Sequence, residues 1–322
     1  MRAVRVTVLG GPEAVELAEV EEPVGDGVVV DVHAAGVAFP DALLTRGLYQ
    51  YRPQLPFTLG AELAGVVRSA PEGAAVKPGD RVVGLTMIGG AMAETAVLGA
   101  DRVFPLPDNI SFESGAGLLF NDLTVYFALT TRGRLSAGES VLVHGAAGGI
   151  GTSTLRLAPA LGASRVIAVV STEEKMDVAR AAGATDVVLA DGFKDAVAEL
   201  TGGKGVDIVM DPVGGDRFTD SLRSLAPAGR LLVVGFTAGE IPTVKVNRLL
   251  LNNIDVVGVG WGAWALTHPG ALAEQWDGLA ELLKSGELAA PQPEVYPFEE
   301  AAAAVASLEN RTARGKVVLR VR

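Results

Sequence analysis

The chain has 322 residues, 49% of them hydrophobic, with 38 acidic against 27 basic side chains and a formal net charge of −11. No Lys or Arg residues form a run, so a nucleic-acid surface, which needs a basic patch, is excluded. The length suffices for two ordinary domains. There is no cysteine, which removes disulfides, thiol nucleophiles and every zinc site that uses Cys ligands. The histidines His33, His144 and His268 lie far apart and show no metal-ligand spacing, so no metal is expected. The longest uncharged apolar stretch, Val256–Leu266, is too short and glycine-rich to span a bilayer. No basic and then apolar leader opens the chain. A cytoplasmic protein without membrane contact is the expectation.

Residues from Met1 to about Gly99 read as short strands broken by Gly and Pro. Val28–Val32 is one apolar run and Gly65–Val67 another, while Pro78-Gly79-Asp80 turns into Arg81–Gly84; this predicts a compact β domain. Asp108–Ser111 then reads as an N-cap region, with Ser111 capping a helical stretch through Leu119. From about Asn121 helix and strand alternate. Strands are predicted at Val141–Val143, Val166–Val170, Asp186–Leu189, Val206–Met210, Leu231–Val234 and Asp255–Val259, and six strands with crossovers form a doubly wound parallel sheet.

The first of those strands leads into the motif that carries most information, His144-Gly145-Ala146-Ala147-Gly148-Gly149-Ile150-Gly151, followed by helical spacing over Thr152–Leu161. In a dinucleotide-binding turn one small residue makes the bend, a second admits the pyrophosphate to the backbone, and a third lets helix and strand pack closely. Ala146, Gly148 and Gly151 take these places. The backbone N–H groups opening the helix, at Gly149, Ile150 and Gly151, then face the pyrophosphate, and the helix dipole favours its charge. Pro159 lies inside this helix and should bend its last turns.

About 20 residues after the turn, the run Arg165–Val170 reaches the ribose-reading position. It continues as Ser171-Thr172-Glu173-Glu174-Lys175. No acid ends the strand, Ser171 and Thr172 can donate hydrogen bonds, and Lys175 is a point charge suited to a 2′-phosphate. The nucleotide expected is therefore NADPH. In the alternative, Glu173 acts as the acid of an NAD site and Lys175 lies on a solvated helical turn.

After Gly262 a helix over Ala271–Ser285 leads to Tyr296-Pro297-Phe298, another helix through Leu308 and a final strand, Lys316–Leu319. A lone terminal strand has no parallel partner left, so it should return to the first domain. The expected division is residues 1–120 with 261–322 as one domain and 121–260 as the inserted nucleotide domain. The cleft between them is the expected active site.

The chain resembles the medium-chain dehydrogenase/reductase superfamily, and within it the zinc-free, zeta-crystallin-like NADPH:quinone oxidoreductases. The resemblance covers nearly the whole length. It is carried by Ala35-Gly36-Val37, Leu59-Gly60-Ala61-Glu62, Pro78-Gly79-Asp80-Arg81-Val82, Ala93-Glu94, Leu123-Thr124-Val125-Tyr126, Val141–Gly151, Val206–Gly215 and Arg314-Gly315-Lys316-Val317-Val318-Leu319. It implies a GroES-like β domain formed from both termini and a Rossmann domain, an α/β protein overall. Zinc-dependent relatives carry a Cys near Ala38 and a His at Ala61; this chain has neither, and the Asn that many zinc-free members carry at the Ala38 position is also missing.

The resemblance implies that Asp41 and Tyr49 lie beside nicotinamide and substrate, with Thr124 near the nicotinamide. It places Lys175 with Arg311 near the 2′-phosphate, and Phe236 and Gly260 along the cofactor. Plainer roles stand beside these. Asp41 can cap a helix over Ala42–Thr45, Tyr49 can be a half-buried core ring, Thr124 can bond back within its helix, and Arg311 can lie on a solvated face. His144 reads as a packed histidine.

The activity implied is NADPH-dependent reduction of a quinone or enone, acceptors that delocalise the incoming charge themselves. Tyr49, with a pKa of about 10 when unperturbed, would donate a hydrogen bond to the oxyanion. Enoyl-thioester reduction, with Arg46 and Arg52 at the rim, is one alternative. A non-catalytic NADPH-binding role is another. A homodimer is expected through the run Ile254–Val259, an outermost strand whose apolar edge needs covering.

Overall fold

The computed structural model describes residues 1–87 and 89–322. The chain opens with β1 (Arg2–Val6), β2 (Val15–Glu19), β3 (Val28–Val37), α1 (Phe39–Thr45), β4 (Phe57–Thr58), β5 (Glu62–Ser69), β6 (Arg81–Leu85), β7 (Thr95–Leu98) and β8 (Val103–Pro105). A small antiparallel sheet runs β2-β1-β4. The larger sheet is centred on β3, which pairs antiparallel with both β5 and β7. Val28, Val30 and Val32 are fully buried while Val29, Asp31 and His33 alternate to the other, wetter face, the period-two signature that makes this segment a strand.

Helix α1 corrects one expectation. It starts at Phe39, three residues before the predicted Ala42, because Pro40 falls in the first turn, where its missing N–H breaks no helical bond. Asp41 is thereby at the third helical position. The stretch after Ser111 is also divided. Ser111 Oγ accepts the Ser114 N–H at 3.1 Å as a cap, but α2 (Phe112–Gly115) stops at the weak helix former Gly115, with Gly117 just beyond, and α3 (Phe120–Tyr126) starts afresh.

The nucleotide-type unit contains β9 (Ser140–Val143), α4 (Gly149–Ala160), β10 (Arg165–Val170), α5 (Met176–Ala181), β11 (Asp186–Leu189), α6 (Phe193–Leu200), β12 (Val206–Asp211), α7 (Phe218–Arg223), β13 (Leu225–Val233), α8 (Asn247–Asn252) and β14 (Asp255–Gly258). Its six strands are all parallel in the order β11-β10-β9-β12-β13-β14. Leu142, Ile167, Val169, Val209 and Leu231 form its core. Both faces are covered, so these strands read as continuous apolar runs rather than alternating ones. Strand β13 begins at Leu225, well before the predicted Leu231. Its entry, Ala226-Pro227-Ala228-Gly229, has the composition of a loop and forms the irregularity between Leu225 and Arg230, which pair with Val206 and Ile208, with Ala228 at φ 63°. Pro159 sits in the last turn of α4, which ends one residue later at Ala160.

The chain continues through α9 (Trp261–Thr267), α10 (Ala271–Ser285), β15 (Glu294–Pro297), α11 (Ala301–Glu309) and β16 (Val317–Arg320). β16 pairs antiparallel with β3 and parallel with β15, so the terminal strand does return to the opening sheet. One compact unit comprises Met1–Leu123, Pro269–Lys284 and Ala290–Arg322, and the other Thr124–His268 and Ser285–Ala289. Helix α9 belongs with the second unit, where Trp264 stacks on Phe127 at 4.6 Å. Among the described residues no helix is long and apolar enough to cross a membrane.

Candidate functional site

Within the second unit, β9 lies between β10 and β12, where the order of the sheet reverses, and the loops leaving the carboxyl ends of these strands converge there. The turn after β9 is held by backbone bonds. Gly148 N–H donates to Gly145 O at 2.9 Å, Ala146 N–H to Val169 O at 3.1 Å and His144 N–H to Met210 O at 3.0 Å. Gly145 takes φ 58°, a conformation open to glycine. Gly148 is the N-cap of α4 and has no side-chain cap, so the first N–H groups of the helix, at Gly149, Ile150 and Gly151, have no side chain closing them off. At Gly151 a Cβ would stand 2.2 Å from Gly145 O and 2.5 Å from the Ala146 Cα. Only glycine fits there, as expected of the position where helix and strand pack closely.

The neighbouring loop is built by Asp211, whose Oδ1 accepts the N–H groups of Val213 and Gly214, both at 2.9 Å. A Cβ on Gly145 would touch Val213 Cγ2 at 3.1 Å, and one on Gly214 would touch the Phe236 ring at 3.0 Å. The phosphate turn, the Asp211 loop and Phe236 are therefore one contiguous surface. His144 is fully buried beneath it. Ser221 Oγ donates to Arg217 O, so His144 Nε2, 2.8 Å away, is the donor to Ser221 Oγ. Burial pushes the imidazole down to about 4, leaving a neutral packed ring set edge-on to Phe193.

At the position expected to read the ribose, Ser171 and Thr172 are exposed immediately after β10, and Lys175 is half-buried at the start of α5. Glu173 is exposed three residues past the strand end. Gly260 is exposed as the N-cap of α9. Thr124 is buried within α3, and Arg311, exposed at φ 60°, belongs to the first unit.

In the first unit, Asp41 is 2% exposed and both of its oxygens are engaged. Oδ2 accepts Ala38 N–H at 2.8 Å and Oδ1 accepts Gly60 N–H at 3.0 Å. Asp41 thus reaches back to the N-cap residue of α1 and also ties in the segment before β5. Burial raises its carboxyl to about 6, against the pull of those two N–H groups. Tyr49 is half-buried against the first unit's core, and burial, foremost, raises its phenol, so the hydroxyl is a donor at neutral pH. Arg46, a candidate thioester contact, is already committed to Glu309 and lies 3.5 Å from Glu13.

Ala38 and Ala61, at the positions where zinc-dependent relatives carry ligands, are buried and offer no donor atom. No cluster of three His, Cys, Asp or Glu able to hold a metal occurs among the described residues. The residues at this place do not fit zinc.

The arrangement that sequence reasoning missed is a buried ion pair, Glu62 with Lys316 at 2.7 Å. Both residues stand inside quoted motifs, Leu59–Glu62 and Arg314–Leu319. The available signal was a charged residue at the border of an apolar run, Glu62 before Leu63–Val67 and Lys316 before Val317–Leu319; nothing in the sequence paired them across more than 250 positions.

The alcohol dehydrogenase GroES-like domain family matches residues 25–108, and the zinc-binding dehydrogenase family matches residues 149–285. The chain is 36% identical over 323 residues to a quinone oxidoreductase-like protein 2 homolog of Nematostella vectensis, covering 99% of this chain and 88% of that protein. A probable oxidoreductase from Mycobacterium abscessus has a solved structure at a TM-score of 0.89 and 42% identity, over 100% of this chain and 99% of that one. The Escherichia coli quinone oxidoreductase complexed with NADPH superposes at 0.89 with 32% identity over 100% of both chains.

Proposed function

Because the chain belongs to the medium-chain dehydrogenase/reductase superfamily, in its quinone oxidoreductase branch, we propose that it is an NADPH-dependent, zinc-independent reductase of quinones or other conjugated carbonyl acceptors. The observation that carries the reading is the glycine cradle. The close packing at Gly151 brings the uncapped opening of α4 against the turn, and that bare helix start suits a pyrophosphate. When bound, NADPH supplies a hydride to the conjugated acceptor. Gly148, Gly149, Ile150 and Gly151 would hold the pyrophosphate by backbone N–H groups, while Ser171 and Lys175 would hold the 2′-phosphate. Thr124, Phe236 and Gly260 orient the nicotinamide half. Tyr49 donates its phenolic proton as a hydrogen bond to the acceptor oxygen as charge develops there. Asp41, with both oxygens held by backbone, shapes the loop beside Tyr49 and touches the acceptor only if those bonds open.

The Arg46 pairing counts against the enoyl-thioester alternative, since it withdraws one of two cations from the rim. The test is the initial rate of NADPH oxidation by metal-free protein with an ortho-quinone, beside an enone, a crotonyl thioester and an NADH control. Rapid quinone-dependent oxidation of NADPH but not NADH supports the reading. Turnover of the thioester alone moves it to enoyl reduction, and silence with every acceptor despite tight NADPH binding leaves a non-catalytic protein.

A homodimer belongs to the same proposal, with a shift in its contact. Ile254 and Val259 are buried in their own unit, whereas Val246, Leu250 and Leu251, beside the β14 edge in sequence, are exposed. Light scattering at micromolar concentration that returns a monomer ends this part of the proposal.

A further inference from the structure

We infer that Glu62 is a positioning residue for the cofactor step, anchoring the first turn of α3 so that Thr124 is presented to the nicotinamide; this rests on the reading proposed above. Glu62 opens β5 and is 1% exposed. Its Oε2 accepts Leu119 N–H at 3.0 Å and Phe120 N–H at 2.8 Å, two of the groups that a helix start leaves without an intrahelical partner. Its negative charge also suits the positive end of the helix. Glu62 Oε1 lies 2.7 Å from Lys316 Nζ, which in turn donates to Val37 O at 3.0 Å. The ends of β3 and β5 and the start of β16 therefore converge on one helix terminus.

Room for this assembly is built into the chain. A Cβ on Gly36 would stand 2.6 Å from Glu62 Cγ, and one on Gly117 would stand 3.0 Å from Lys316 Cγ. A buried ion pair gains little stability over apolar residues of the same volume, because desolvation offsets the attraction. Its distinguishing property is that it specifies geometry. Thr124 follows Phe120 by four residues, about one helical turn, so it moves with whatever fixes that first turn. Of the buried carboxylates nearby, Asp41 has its oxygens on the Ala38 and Gly60 N–H groups, and Asp122 lies within the first turn of α3 itself.

Removing Glu62 alone would strand the Lys316 ammonium in the interior, so the informative variants change both residues. Glu62→Met/Lys316→Met has no acceptor for the two N–H groups. Glu62→Gln/Lys316→Met keeps one, with the same charge and similar volume. Anchoring predicts that amide hydrogen exchange over Leu119–Leu123 quickens about tenfold or more in the Met/Met protein and stays within about threefold in the Gln/Met protein. Positioning further predicts that Met/Met lowers kcat with the quinone about tenfold, leaves NADPH Kd and quinone KM within about threefold, and shows no added loss when Thr124→Val is introduced. Equal exchange in the two proteins overturns the anchoring. Losses from Met/Met and Thr124→Val that multiply overturn the positioning. If wild-type protein fails to oxidise NADPH with every acceptor offered, the functional reading fails, and hydrogen exchange alone still decides whether Glu62 anchors the helix.

Discussion

Two substitutions in one turn separate packing from cofactor binding. At Gly151 an alanine Cβ would meet three backbone atoms, Gly145 O at 2.2 Å, Ala146 Cα at 2.5 Å and Ala146 C at 2.6 Å. None is the end of a flexible side chain, so α4 and the turn must part by about 1 Å to reach ordinary contact, an overpacking cost of roughly 1–3 kcal/mol. For a unit of this size that lowers Tm by about 2–12 °C. The displaced helix start also loses its aim at the pyrophosphate, so NADPH Kd should rise about tenfold or more. At Gly148 a Cβ would find only Gly145 O, at 3.3 Å, with φ at −94°, which any residue can adopt. Gly148→Ala should therefore change Tm by only about 2 °C. It should nonetheless weaken NADPH, since its Cβ occupies the approach to the backbone. Thermal unfolding with and without NADPH, together with a fluorescence titration, reads both quantities. If Gly151→Ala matched wild type in Tm and Kd, or if Gly148→Ala bound NADPH normally, the assignment of these glycines would be refuted.

Tyr49→Phe should bind NADPH normally and lose about 10- to 100-fold in kcat, the worth of one donor to a developing oxyanion; unchanged turnover of every accepted substrate would remove that role. Lys175→Ala should raise Kd for NADPH about 10- to 100-fold while leaving NADH unaltered, as a charge-assisted hydrogen bond to phosphate requires; equal effects on both nucleotides would place Lys175 on a merely solvated turn. Asp41 bears on the pH dependence of stability. Its folded carboxyl, pushed up to about 6, holds its proton more tightly than in the unfolded chain. Its contribution is thus full below pH about 4 and is lost as the pH rises through about 6, a change of roughly 3 kcal/mol. Wild-type stability relative to Asp41→Asn should fall by that order between pH 4 and 6, and a difference independent of pH would contradict the burial argument.

Elements whose signal is local were legible in the order of residues alone. The phosphate turn was legible because its requirements, a bend, a bare backbone and a close crossing, each act within eight residues and select small side chains. The six strands were legible because a parallel sheet covered on both faces demands unbroken apolar runs. The start of α1 was not, since Phe39-Pro40 reads as a turn until the chain on either side fixes Pro40 in a first helical turn. The entry to β13 was not, because Pro227 and Gly229 have the composition of a loop and lie in the strand only because Leu225 and Arg230 on either side pair with β12. Tertiary structure alone decided what the buried charges do. Asp41 looked like a cap or a substrate contact, and its second bond, to Gly60, arises only when α1 meets the segment before β5. Glu62 and Lys316 stood in view within two motifs, but a charge in a strand acquires its partner from the sheet order. That order brings β3, β5 and β16 to the start of α3, where a desolvated carboxylate must find donors and the helix supplies them.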